Sequence, residues 1–258
     1  MSYLSDINLI LGDCLEELPK LSDKSVDFIL CDLPYGTTAC KWDSILPLDK
    51  LWEQYERLIT DNGVICLFGQ EPFSSLVRTS NLPLYRYDWV WQKQKPSNFQ
   101  LMNYQCGRVH ENIMIFSKAK ACYTKNGVKI NYFPIKEKME KERKANAKIY
   151  NDGKADLLHS YKNATRDNYQ VYSEKHPISV LRFNTDEHRL HPTQKPVDLC
   201  EYLVKTYTID DMTVLDNCMG SGSTGVACKK LNRNFIGIEK EEKYFDIAYN
   251  RIVGEFLE

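Results

Sequence analysis

A chain of 258 residues, 43% hydrophobic and 27% charged, is long enough for one large domain, or one domain with an insert, around a substantial core. Its formal net charge of -1 excludes attraction to nucleic acid by bulk charge, so any such affinity must come from local asymmetry. Nine cysteines without a Cys-x-x-Cys pair, no leader-like segment and no long apolar run argue against a disulfide framework, a zinc site or a membrane span, and predict reduced thiols in a cytoplasmic protein. The five histidines, His110, His159, His176, His188 and His191, do not fall at ligand spacing, and no metal is expected.

Residues 8–11 predict a first short strand. Asp13 follows and reads first as a helix cap, with a carboxylate receiving an exocyclic amino group as the alternative. Residues 26–31 are apolar, β-branched or aromatic, and predict a buried strand. That strand runs into Asp32-Leu33-Pro34-Tyr35, an odd terminus for packing alone. In an open α/β sheet, ligands sit just outside the carboxyl ends of strands. Asp32 would then stand in the crevice as a hydrogen-bond acceptor and Tyr35 as a stacking surface. Residues 36–43 form a polar loop able to close over it.

Leu48, Leu51, Trp52, Tyr55, Leu58 and Ile59 recur at helical spacing, and Asn62-Gly63 reads as the stop of that helix. Residues 64–69 predict a buried strand, Pro72 opens a helix towards Ser80, and residues 85–91 and 112–116 predict two more strands. Strands alternating with helices predict an α/β fold with a doubly wound, mostly parallel sheet in three layers. The connection from Gln92 to Glu111 is long for such a fold, and long loops tend to be functional. It holds Lys93, Lys95, Asn98, Phe99, Tyr104, Arg108 and His110.

The rhythm of strand and helix stops at 118 and resumes after 189, dividing the chain into a core half at 1–117, an insert at 118–189 and a second core half at 190–258. Between Lys118 and Asp167 there are 13 basic and 6 acidic residues, an excess of +7, with Tyr123, Tyr132, Tyr150 and Tyr161 interleaved. Residues 135–148 taken alone read as a solvated helix face. The excess over the whole insert suits an anionic partner, double-stranded DNA, through residues such as Lys125, Lys129, Arg143, Lys162 and Arg166.

After His191-Pro192-Thr193-Gln194-Lys195-Pro196 a helix places Leu199, Leu203 and Tyr207 inward. Residues 213–216 predict a short strand ending in Asp216, followed by Gly220-Ser221-Gly222-Ser223-Thr224-Gly225 and a helix. Glu239 ends the next strand. Gly-x-Gly-x-x-Gly between strand and helix, with an acid placed to accept both ribose hydroxyls, predicts a nucleoside-type cofactor. Only 33 residues follow Gly225, so earlier strands must complete the sheet.

Asp32-Leu33-Pro34-Tyr35 resembles the Asp-Pro-Pro-Tyr motif of amino-group DNA methyltransferases. Asp216 through Thr224 resembles their cofactor loop, and Thr193-Gln194-Lys195-Pro196 the segment upstream of it. Gly12-Asp13-Cys14-Leu15 and Trp42-Asp43 match as well. Catalytic motif, recognition insert and cofactor motif come in the order of the circularly permuted β-type arrangement. Leu33 stands where the family has its first proline, and Asn217-Cys218 where it has Pro-Phe. The resemblance implies S-adenosyl-L-methionine as cofactor, held by Asp216 and the Gly220, Ser221, Gly222, Ser223 and Thr224 loop, with Thr193 and Lys195 near its carboxylate. It also implies that Glu239 holds the ribose and Asp13 the adenine amino group. Asp32 and the Leu33 carbonyl would accept the hydrogens of a target amino group, and Pro34 and Tyr35 would complete the motif. An acidic first residue resembles the adenine-N6 group more than the cytosine-N4 group. A homodimer and a cognate restriction endonuclease remain open as partners.

Overall fold

The computed structural model describes residues 6–36, 44–122, 127–146, 169–185, 190 and 193–254. The chain divides into two compact units, Met1–Phe133 with Ser179–Glu258, and Pro134–Ile178. The smaller unit lies inside the 118–189 stretch marked out by composition, so that described residues at both ends of the stretch belong to the larger unit.

The strands are β1 (Ile7–Leu11), β2 (Val26–Cys31), β3 (Ile59–Gly69), β4 (Tyr85–Gln92), β5 (His110–Phe116), β6 (Glu137–Asn146), β7 (Tyr169–Lys175), β8 (Val180–Arg182), β9 (Thr213–Asp216) and β10 (Asn234–Glu239). The helices are α1 (Cys14–Glu17), α2 (Leu48–Leu58), α3 (Phe73–Ser80), α4 (Val197–Tyr207), α5 (Ser223–Lys230) and α6 (Glu242–Ile252). In the larger unit eight strands form one sheet in the order β1-β10-β9-β2-β3-β5-β4-β8. Every neighbouring pair is parallel except the two that involve β5. The sheet is therefore mostly parallel, as the alternation of elements predicts. One consequence positions the site. The carboxyl ends of the seven co-directional strands lie along one edge, and β5 begins at that same edge.

Alternate side chains of β2 go to opposite faces, as a pleated strand requires. Phe28 and Leu30 pack with Leu199, Leu203, Ala227 and Ile252 of α4, α5 and α6. Ile29 and Cys31 pack with Leu51, Tyr55, Phe73 and Val77 of α2 and α3. Each fully buried aliphatic or aromatic side chain in these layers contributes about 1.5–3 kcal/mol. The eight described cysteines are all free thiols. No described helix is long and apolar enough to cross a membrane.

Two local expectations are corrected. Asn62-Gly63 does not stop α2, which ends at Leu58 and passes directly into β3. Gly63 is needed there for close approach. A Cβ would lie 2.8 Å from the Asp27 carbonyl oxygen, beside an irregularity in the β2–β3 register. Residues 137–146 are a strand, not a helix face. They pair antiparallel with β7 in the smaller unit, from Glu137 opposite Lys175 to Asn146 opposite Tyr169, so pairing overrides the helix preference of a Lys/Glu-rich run. The ion pairs Lys175–Glu137 (2.8 Å) and Lys136–Glu174 (3.5 Å) flank the ribbon.

Candidate active site

A cavity of about 330 Å³ opens at the carboxyl edge of the sheet. Asp32, Leu33, Pro34 and Tyr35 after β2 line one side of it. Asp216 from β9, Gly220, Ser221, Ser223 and Thr224 from the turn into α5, and Glu239 from the end of β10 line the other. Asp13, Thr193 and Lys195 complete the wall. The cavity thus joins motifs nearly 200 positions apart. Gly222 is not among its lining residues but shapes the turn. It adopts φ +78°, and a Cβ there would meet Ala248 at 2.9 Å. Only glycine takes that conformation without cost at so close an approach.

The acceptor side is built around Asp32. Tyr35 donates its hydroxyl to Asp32 Oδ1 at 2.6 Å, and its ring stacks on Phe73 with centroids 4.8 Å apart. The Lys195 ammonium bonds Asp32 Oδ2 and lies 3.5 Å from Glu111 Oε2. Glu111, at the start of β5, also receives the Lys93 ammonium and the Gln70 amide at 2.9 Å. Arg108 in turn donates to Gln70 at 2.7 Å. Two cations and two carboxylates are thereby linked in a largely buried chain. Lys195 also sits 5.1 Å from the centroid of the Phe68 ring, which keeps water from that side.

Electrostatics follow from this packing. Burial raises the pKa of Asp32, Lys195 pulls it down, and the Glu111 charge pushes it up again. Burial opposes the charge on Lys195, but Asp32 and Glu111 outweigh it and hold the ammonium protonated. Glu111 stays ionised because Lys195 and Lys93 overcome its own burial. Burial and the neighbouring Asp32 charge lift Tyr35 well above its ordinary value, so it remains a donor.

On the other side, burial pushes Asp216 up to about 7, against hydrogen bonds from Thr224 and the Cys218 amide. Glu239 accepts from the Gly220 amide at 2.8 Å and the Glu241 amide at 2.8 Å. Burial raises its pKa, and these amides counter part of that. Asp13 does two things. Its Oδ1 caps α1 through the Leu15 amide at 3.0 Å, and its Oδ2 meets Lys240 at 2.9 Å, while it also lines the cavity. Ser223 Oγ is buried with no hydrogen-bond partner among the described residues, and it lines the cavity.

The sequence reading missed three groups. Glu111 reads in the sequence as the end of a loop, and its burial among cations has no signature in one sequence. Phe68 looked like an ordinary core residue of β3. Tyr55, a core residue by periodicity, also donates to Asn217 Oδ1 at 2.6 Å and so fixes the residue that stands in place of the family proline. Beside it, Cys218 shares its pocket with the Cys14 and Cys31 thiols.

The residues expected to meet DNA are distributed differently. Lys93 is turned inward onto Glu111. Arg108 is half-buried and spent on Gln70, and Asn98 bonds the Cys106 carbonyl and the Arg108 amide. Lys95, His110 and Lys129 are exposed on the larger unit, and Arg143 is exposed on the smaller. Lys125, Lys162 and Arg166 lie outside the described residues, as do residues 37–43, His191 and Pro192.

A family model described as N6_N4_Mtase, DNA methylase, matches residues 26–250. The chain belongs to this DNA methylase family. The methylase is 27% identical over 277 aligned residues to the Type II methyltransferase M.HinfI of Haemophilus influenzae, covering 95% of this chain and 68% of that protein. Its fold matches the crystal structure of the M1.HpyAVI–SAM complex with a TM-score of 0.60 and 24% identity, over 95% of this chain and 99% of that one. It also matches the PvuII DNA methyltransferase (cytosine-N4-specific) with a TM-score of 0.66 and 15% identity, over 98% and 87%.

Proposed function

We propose that this DNA methylase transfers a methyl group from S-adenosyl-L-methionine to the N6 amino group of adenine in duplex DNA. The observation that carries the reading is the position of Asp32. Its carboxylate stands at one wall of a cavity whose opposite wall is a glycine turn and a strand-end glutamate.

The cavity suits the cofactor. An unpartnered, buried Ser223 hydroxyl and the amino end of α5 offer donors for a carboxylate. Glu239 offers two oxygens to ribose hydroxyls, and Asp216 and Asp32 place negative charge around a cationic ligand. When bound, the cofactor supplies an electrophilic methyl on a sulfonium. Everything else is done by the chain. An exocyclic amino group is a poor nucleophile because its lone pair is delocalised into the ring. Asp32 and the Leu33 carbonyl accept its two hydrogens and pull the nitrogen towards a tetrahedral form. Tyr35, with one ring face held by Phe73, stacks the base on the other. Lys195 offsets part of the burial that opposes the charge on Asp32, and holds the carboxylate still. Rate enhancement comes from orientation and preorganised charge, without a covalent intermediate. The base must leave the duplex to reach this depth.

The adenine assignment rests on the acidic first residue of the motif. Incubation with unmodified phage DNA and labelled S-adenosyl-L-methionine, then digestion to nucleosides, tests it. Label in N6-methyladenine is expected. Label only in N4-methylcytosine would establish the cytosine-N4 alternative, and no label would favour a catalytically inactive DNA-binding protein. A rise in melting temperature with S-adenosyl-L-methionine separates enzyme from inactive binder.

A further inference from the structure

The connection between β4 and β5 leaves the sheet at the edge where Asp32 stands, because β4 ends there and β5 begins there. In the strand order, β5 is two strands from β2, about 10 Å at ordinary strand spacing. The connection is tightly built. Lys93 and Ser97 amides bond the Val109 and Arg108 carbonyls at 2.7 and 3.0 Å. Asn98 clasps both limbs. A short 3-10 turn at Phe99–Leu101 is continued by Tyr104 and Gln105 amides on the Leu101 carbonyl at 2.9 and 3.0 Å. Lys93 and Arg108 tie its base to Glu111 and Gln70, beside Lys195 and Asp32.

This ordered tip points apolar side chains outward. Tyr104 is 88% exposed and Phe99 69%, with Leu101 and Met102 about half exposed. A loop that spends its hydrogen bonds on its own shape while exposing aromatics is displaying them. Lys93 and Arg108 are spent at the base of the loop on Glu111 and Gln70, which leaves Lys95 and His110 exposed with no Asp or Glu from 93 to 110, a surface that matches a polyanion rather than a second copy of a chain of net charge -1.

We propose that Phe99 and Tyr104 form a wedge that enters the DNA duplex and fills the place vacated by the target base when it turns into the Asp32 pocket. The inference rests on the methyltransferase reading. It adds the residues that open the helix. Apolar side chains inserted between base steps unstack them, and an aromatic ring replaces the lost stacking for any neighbouring base.

The test uses the full-length chain and a duplex carrying the site found by modified-base sequencing of DNA from cells expressing it. The parent protein and the F99A/Y104A double variant are compared on the paired duplex and on one with an abasic position opposite the target base. The variant is expected to methylate the paired duplex about tenfold or more slowly, one stacking contact's worth. On the abasic duplex, where opening is already cheap, it is expected to fall within about twofold of the parent. Equal rates on the paired duplex would overturn the wedge, and so would an equal loss on both duplexes. A change of sedimentation from dimer to monomer would overturn it too, by making the tip a protein interface. Failure of the parent to methylate either duplex would instead overturn the methyltransferase reading, and the wedge with it.

Discussion

Lys195 is shared by two buried carboxylates, and that arrangement predicts opposite effects for two substitutions. Lys195 touches Asp32 and lies 3.5 Å from Glu111. At an effective dielectric of about 20, two unit charges at that distance attract by about 5 kcal/mol, of which burial takes back a large part. Lys195→Met leaves Asp32 without its cation while Glu111 keeps its repulsion. The pKa of Asp32 should rise, because the adjacent opposite charge that favoured its ionised form is gone. Glu111→Gln removes the repulsion and leaves Lys195 wholly to Asp32, whose pKa should fall. Lys195, Glu111 and Tyr35 act most strongly on Asp32, and Asp216 faces it electrostatically as well. On the proposed reading methyl transfer needs Asp32 ionised, so activity is expected to fall as pH drops through its folded value. The acid limb of the single-turnover rate should therefore move to higher pH in the first variant and lower pH in the second. The assay is single-turnover methylation of a duplex carrying the native site, from pH 5.5 to 9. A limb that moves in the same direction in both variants, or in neither, would refute the assigned roles. Stability supplies an independent check. Lys195→Met leaves Asp32 buried without its cation and raises its folded pKa, so its stability is present at low pH and lost as pH rises, while Glu111 keeps Lys93. A deficit of about 3–5 kcal/mol at pH 8 should shrink in acid.

Other expectations follow from neighbouring groups. Because Asp216 titrates near 7 and a cationic ligand favours its ionised form, affinity for S-adenosyl-L-methionine should weaken below pH 7, by up to about tenfold per pH unit, in calorimetric titrations. A pH-independent Kd between 5.5 and 8.5 would remove Asp216 from the cofactor's surroundings. Tyr55→Phe leaves the buried Asn217 oxygen without its donor; a loss of about 1–3 kcal/mol in denaturant melts and weaker cofactor binding should appear together. Gly222→Ala forces a side chain to φ +78° against Ala248 and should lower the melting temperature and cofactor affinity in one thermal-shift experiment. DNA affinity should fall steeply with salt, and Lys129→Ala and Arg143→Ala should each flatten the slope by about 1 if they meet phosphates.

What was legible in the sequence depended on the range of the cause. Strand β2 and its terminal Asp32 could be read because burial on both faces imposes a continuous apolar run and a strand end imposes a break. The turn at Gly222 could be read because positive φ demands glycine. The mostly parallel sheet followed from alternation, but the reversal of β5 did not, since the direction of a strand leaves no mark on its composition. That reversal matters most. By turning β5 round, it brings Glu111 to the edge where Asp32 stands and makes the β4–β5 connection a hairpin leaving the sheet at that same edge. A residue read as the last position of a loop thereby becomes the second carboxylate on Lys195. Lys93, read as a phosphate contact from its charge and its place in a polar loop, is drawn inward by the same event. Its charge was legible and its partner was not, because the partner is set by strand direction 18 positions away. The strand β6 shows the same limit from the other side. A run rich in Lys and Glu carries helix propensity in nearly every residue, and the pairing with β7, across residues that carry no regular pattern, makes it extended. Residues that act through their neighbours in the chain were found, and those that act through neighbours in the sheet had to be seen.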